Sequence, residues 1–258
     1  MDSINIQSIA ACSTEDDLGR ILGFDVSALD TSMIPPALRR RSSLPCKLAI
    51  NAAMSACKTA GVEASATPTL FASVGGEMVI TDQLCLELTR PTVHISPTQF
   101  HNSVHNTAAA YWSIVTGCQQ ASSAMAAGEQ TIAMALVEAW GQLATQGGDL
   151  LLVCYEECWP DYVDPGMGHH AIAFAMLLST EASDHTIAQF LRPRVVDQPP
   201  VVEAQLAQLI DGVPLFALTP LFQALTGQNS DQVIPVSFQS QYWVVDCMLE
   251  KQSKQGMR

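Results

Sequence analysis

The sequence predicts an α/β fold in which helices cover both faces of a buried sheet, and three observations predict it. β-rich runs alternate with helical patterns along the chain, as they do where α and β layers stack. Two runs, Asp149–Tyr155 (DLLLVCY) and Ala171–Ser179, are apolar almost throughout, the pattern of strands covered on both faces. The main helical patterns stop at glycine, at Gly61, Gly117 and Gly147-Gly148, where a left-handed C-terminal cap is easily made.

The elements follow in order. Residues 1–36 are weakly patterned and end in Pro35-Pro36, a helix stop. From Arg40 onward, Leu44, Leu48, Ala52 and Ala56 recur every fourth residue, which predicts an amphipathic helix ending near Gly61. Thr69–Gly75 (TLFASVG) reads as a buried strand entering a turn at Gly75-Gly76, and Thr81–Leu88 as a short helix stopped before Pro91. Val104, Ala108, Tyr111, Trp112 and Val115 share one helical face, which ends at Gly117. Gln120–Ala127 is small and half-alternating, a tightly packed strand. Ile132, Ala135, Leu136, Ala139 and Leu143 form the next helical face. After Thr180 the pattern loosens. Arg192–Pro200 is proline-rich and reads as a linker. Val201–Ile210 and Pro214–Thr226 read as helices, and Val233–Phe238 and Tyr242–Leu249 as closing strands before a polar tail. No internal repeat recurs at a period of about 20–50 residues.

Composition narrows the function classes. Charged residues are 14% of the 258, against about 25% in an average soluble domain. Mean hydropathy is +0.19, yet no apolar run approaches the ~20 residues of a membrane span. The excess apolar surface therefore belongs in a core or a permanent protein interface. Lys and Arg total 12 against 25 Asp and Glu, a net charge of −13. That balance argues against nucleic acid, anionic membranes, and a leading role in docking an acidic carrier protein. Arg39-Arg40-Arg41 is the one basic cluster and reads as a solvated helix start. The acidic start carries no signal-peptide pattern, and the eight scattered cysteines read as reduced and buried, so a bacterial-type cytoplasmic protein is expected.

The most informative stretch is Asn102–Gly117 (NSVHNTAAAYWSIVTG), which leads into Ala126–Ala139 (AAGEQTIAMALVEA). A helix ends at Gly117, a strand covers Ala121–Gly128, and a second helix spans Glu129–Gln146. Gly148-Asp149 then enters a strand that closes on Glu156-Glu157. This layout over Arg39–Leu178 resembles the N-terminal half of the thiolase-like β-ketoacyl synthases. In that family the turn before the second helix carries the nucleophilic cysteine. Here it reads Gly128-Glu129-Gln130. Counting without gaps from Gly117 or back from Asp149 places Glu129 at the nucleophile position. The Gly-Glu-Gln string also resembles chain-length factors, in which glutamine replaces the cysteine, and a one-residue shift places Gln130 there. The segments Pro36–Ser43, Ser96-Pro97, His105-Asn106 and Ala127-Gly128-Glu129 are similar to the small chain-length-factor-type proteins of aryl polyene gene clusters.

The resemblance implies a layered α-β-α ketosynthase-like domain over residues 1–258. Residues 1–183 would be the N-terminal core and 184–258 a shortened C-terminal segment. It implies no catalytic residue of the chain's own. A thioester needs a thiolate, and Cys118 lies eleven residues before Glu129. The family also places two histidines in its C-terminal half, whereas only His185 follows His170 here. The expected role is a non-catalytic subunit that heterodimerises with an active β-ketoacyl synthase. The partner would supply the cysteine and histidines and meet acyl carrier protein. Ala121–Gly128 would be the interface strand with Asn102–Thr116 behind it, and Val104, His105, Tyr111, Trp112, Ala124 and Met125 would line the interface or acyl tunnel. Two alternatives stay open. One is a malonyl-carrier decarboxylase using Gln130, or an atypical condensing enzyme; the other is a scaffold without a tunnel role.

Other chemistry has little support. His101 and His105 are four apart on one expected helical face but lack the intervening glutamate of zinc proteases. His169-His170 precede a strand, on which adjacent side chains diverge. Cys154, Cys158 and His169 have unorthodox zinc spacing. P-loop, dinucleotide and Gly-x-Ser-x-Gly motifs do not occur. No cofactor or metal is expected.

Overall fold

The computed structural model describes residues 2–163, 170–227, 232–239 and 241–249. The chain begins with β1 (Ser3–Ser13), α1 (Leu18–Leu22), β2 (Ser27–Ala28), α2 (Pro36–Arg39) and α3 (Leu44–Ala60). Then come β3 (Thr69–Ala72), α4 (Met78–Leu88), α5 (Pro97–Asn102), α6 (Thr107–Thr116) and β4 (Ser122–Met125). Next are α7 (Thr131–Gln146), β5 (Asp149–Glu156) and β6 (Ile172–Ser179). β7 (Ala188–Leu191), β8 (Arg194–Val196), α8 (Ala204–Gly212), α9 (Thr219–Thr226), β9 (Gln232–Pro235) and β10 (Tyr242–Leu249) follow.

Among the described residues the strands form one mixed sheet, ordered β4-β3-β5-β6-β1-β7-β10-β8, with β2 on β1 and β9 on β10. β4, β3 and β5 run parallel, and β6 is antiparallel between β5 and β1. Alternation along the strands splits the core in two. Leu150, Leu152 and Cys154 of β5 join α1, α7, α8 and α9 on one face. Leu151, Val153 and Tyr155 join α3 and α6 on the other. β6 does the same by size. Ile172, Phe174, Met176 and Leu178 fill the α7 side, while Ala173 and Ala175 let α3, with Ala49, Ala52, Ala53 and Ala56, lie close to the sheet. The result is the expected three-layer α-β-α arrangement.

Several expectations need correction. Residues 1–36 contain the central strand β1, whose polar residues hid it. Asn5, Gln7, Ser8 and Ser13 are buried and donate to carbonyls of Ser179, Glu181, Ala56 and Ala171 at 2.7–3.3 Å. The 192–200 linker contains β8, held to β10 by a bidentate Arg194–Asp246 ion pair at 2.7 and 2.9 Å. The single helix expected over Asn102–Thr116 is divided. α5 ends at Asn102, and α6 starts at Thr107 after a break through Ser103–Asn106. The turn around Gly166 to Gly168, His169 and the tail from 250 onward lie outside the described residues.

Candidate functional site

The turn into α7 is built from its own backbone. Gly128 takes φ 55°, a left-handed conformation that suits glycine, and Gly128–Gln130 forms a 3-10 turn. Thr131, fully buried, accepts from the Ala127 N–H at 2.9 Å and donates to the Gly128 carbonyl at 2.7 Å. Glu129 is exposed. Gln130 is half-buried and spans to the C-terminal segment. Its Nε2 donates to the Gln239 carbonyl, and its Oε1 accepts from the Ser237 hydroxyl at 2.9 Å. Gln239 in turn donates to Asp211 of α8 at 2.9 Å. Both polar ends of the Gln130 side chain are thus engaged. Ser237 and Gln239 were not anticipated, because the loop after β9 carries no motif. Cys118 is buried away from the turn, donating to the Thr67 carbonyl at 3.5 Å. A carboxamide is not a nucleophile, and no thiol stands at the helix start.

Beside this turn lies β4, among the described residues the last strand on its side of the sheet. Thr69 N–H donates to Ala121 O and Ser73 N–H to Met125 O. The inward-bonding residues therefore alternate, and Ser122 and Ala124 turn their backbone groups to the open edge. Met125 packs on the α7 side of the core, and Ala124 pairs with Phe71. The aromatic stripe of α6 points the other way. Trp112 is 0% exposed and Tyr111 4%, both inside the α3-side core, with the Tyr111 hydroxyl donating to Asn102 at 3.1 Å. These two are core residues of this chain. The apolar side chains that do reach the surface nearby are Val104 (49%), Phe100 (66%) and Ile114 (59%). α4 buries no residue at all, and Leu86 and Leu88 are exposed on it.

A carboxylate hub, of which only Glu156-Glu157 stood out in the sequence, roots this excursion. Glu156, at the end of β5, accepts from the N–H of Val74 (2.8 Å), the N–H of Gly75 (3.3 Å) and the Trp159 indole (3.2 Å), while the Ser73 hydroxyl lies 3.3 Å away. Glu157 accepts from Val79 N–H at 2.8 Å, and Glu77 accepts from Ser43 and Cys46 at the start of α3. Burial pushes Glu156 up to about 7 against these donors, and Glu157 to about 7 as well; burial also raises Glu77. The Gly75-Gly76 pair permits this packing: a Cβ on Gly75 would sit 2.7 Å from the Trp159 ring. Gly76, at φ 62°, faces His105, whose Nε2 lies 2.9 Å from the Ser73 carbonyl. His101 lies on α5 and His105 beyond its end, so they do not share the helical face expected of them. His170 Nδ1 lies 2.6 Å from Glu15. Among the described residues no group of three or more His, Cys, Asp or Glu could hold a metal ion. No described helix is long and apolar enough to cross a membrane.

The fold and this turn together define a thiolase-like condensing-enzyme scaffold. Residues 19–212 match the model of the β-ketoacyl synthase N-terminal domain, and the chain belongs to that family. Comparison with curated proteins finds no match. Among solved structures, the chain is similar to a ketosynthase (ApeO) in complex with its chain length factor (ApeC) from Xenorhabdus doucetiae. There the TM-score is 0.70 at 19% identity, over 95% of this chain and 99% of that one. It is similar to the ishigamide ketosynthase/chain length factor, with TM-score 0.65 and 15% identity over 96% and 100% of the two chains. A third likeness is to AntDE:AntF, a type II PKS acyl-carrier protein in complex with its ketosynthase, with TM-score 0.69 and 10% identity over 97% and 100%. At these identities the likeness is one of fold.

Proposed function

We propose that this chain is a catalytically silent chain-length factor. It pairs with an active β-ketoacyl synthase through the β4 edge and contributes to the wall of that partner's acyl tunnel. The observation that carries the reading is the turn into α7. The family's nucleophile turn here holds Glu129 and Gln130, and Gln130 is tied to the loop after β9. Of the two, we assign the cysteine's place to Gln130, which is half-buried and bonded to Ser237 and Gln239, whereas Glu129 is exposed. Support for a partner comes from the open edge of β4 and from the exposed apolar side chains of α4–α6. The similar complexes, which pair ketosynthases with chain length factors, support it as well.

On this reading the partner supplies the cysteine and meets the acyl carrier protein. On the same reading Val104, His105, Ala124 and Met125 form the face toward the partner, and Tyr111 and Trp112 hold α6 in the core behind it. Residues 1–183 act as the ketosynthase-like core and 184–258 as the segment that closes the α7 turn. The product class is an aryl polyene or related polyketide chain, made in the cytoplasm. The test is condensation of malonyl- and acyl-carrier substrates. The purified chain should be inactive alone, and mixing it with its ketosynthase should restore turnover and fix product length. Condensation by the chain alone would refute the proposal.

A further inference from the structure

Far from the α7 turn, a hollow of ≈ 280 Å³ opens between the second half of α7 and the β8–β10 side of the sheet. Val137, Trp140, Gly141, Arg192, Pro193 and Trp243 line it. Two features of this hollow are not explained by the chain's own packing. Gly141 lies inside α7, where glycine weakens a helix relative to alanine. Yet a Cβ there would meet nothing within 4 Å, so no neighbour requires the glycine. Arg192 is exposed and forms no ion pair among the described residues, whereas Arg194, two residues on, is paired with Asp246.

The chemistry of the wall has one sign. Its side chains offer one guanidinium, flat apolar surface from two tryptophans, and no carboxylate. That is unexpected in a chain with 25 acidic residues against 12 Lys and Arg. A guanidinium fits a carboxylate in a planar, two-point contact. A missing side chain at Gly141 leaves space for a ring beside the tryptophans. The volume is small beside ordinary ligand pockets of about 300–1,000 Å³, so the ligand must be small.

We propose that this hollow is a binding site for a small, flat organic carboxylate. Its apolar body lies beside Trp140 and Trp243 over Gly141, and its carboxylate meets Arg192. The proposal does not depend on the partner reading, because no residue of the hollow belongs to the β4 edge or the α7 turn.

The test is calorimetric titration of the full chain, alone or with its ketosynthase, using 2-naphthoate as the probe. 2-Naphthamide is the neutral control and 2-naphthylmethylamine the cationic one. The acid should bind, and the amide and amine should bind about tenfold more weakly or worse, the scale of one charge-assisted contact. Arg192→Gln should weaken the acid by about tenfold and leave the amide unchanged. Gly141→Leu fills the hollow with a good helix former, so it should abolish binding while the melting temperature holds or rises. Three results would overturn the proposal: no binding of the acid at millimolar concentration, equal binding of acid and amide, or undiminished binding by folded Gly141→Leu.

Discussion

A carboxamide at the start of α7 changes what that helix can do. A cysteine there would gain reactivity from the helix N-terminus; Gln130 instead bonds at both ends to the segment after β9. Gln130→Ala should cost about 1–2 kcal/mol in denaturant unfolding, the usual worth of side-chain hydrogen bonds. Gln130→Cys should not create condensing activity in the isolated chain, because only one histidine, His185, follows His170, where the resembled family has two. A second residue-scale prediction concerns the buried carboxylates. Burial holds Glu156 and Glu157 at about 7, above an ordinary 4.5. Between those values the folded chain binds more protons than the unfolded one. Their contribution is therefore full below about pH 4.5 and is lost as pH rises toward about 7. For Glu156 the loss is on the order of 3 kcal/mol. Urea midpoints should fall between about pH 5 and 8, and Glu156→Gln should flatten that slope. A midpoint that rises across the window would contradict the assignment.

At the scale of elements, α3, α7, β5 and β6 were legible because their burial follows one period over many residues. β1 was not, because its polar side chains bond to carbonyls of α3 and of β6 and its flanks, and that pairing is invisible in one sequence. Of the stripe read as one helical face and assigned outward, Val104 lies in the break before α6 and Trp112 in the α3-side core. Periodicity identifies an apolar face but does not say whether the chain itself or another one covers it. Of the site, the degenerate turn was legible as a string; its closure by Ser237 and Gln239 was not, since those residues lie far along the chain. Two predictions separate core from interface. Trp112→Ala should destabilise the isolated fold by about 3–5 kcal/mol. Ala124→Pro removes an N–H that faces the open edge rather than β3, so it should leave circular dichroism unchanged and weaken ketosynthase binding at least about tenfold. Substituting Phe100 or Val104 with a smaller or larger residue should shift product length, read by mass spectrometry, without loss of folding. Unchanged product length would favour a scaffold role.

For the molecule as a whole, composition and surface tell one story. Few charged residues, a sheet edge unpaired among the described residues and a helix, α4, with no fully buried residue leave apolar area that solvent does not favour. A permanent partner covers such area at the least free-energy cost. The C-terminal strands extend the sheet on the far side of β1, away from β4, and so leave that edge open. The most direct measurement is native mass of the chain expressed alone and then with the ketosynthase encoded beside it. The account predicts a 1:1 complex in the second case, and aggregation or poor recovery in the first. A stable monomer that ignores the ketosynthase would contradict it.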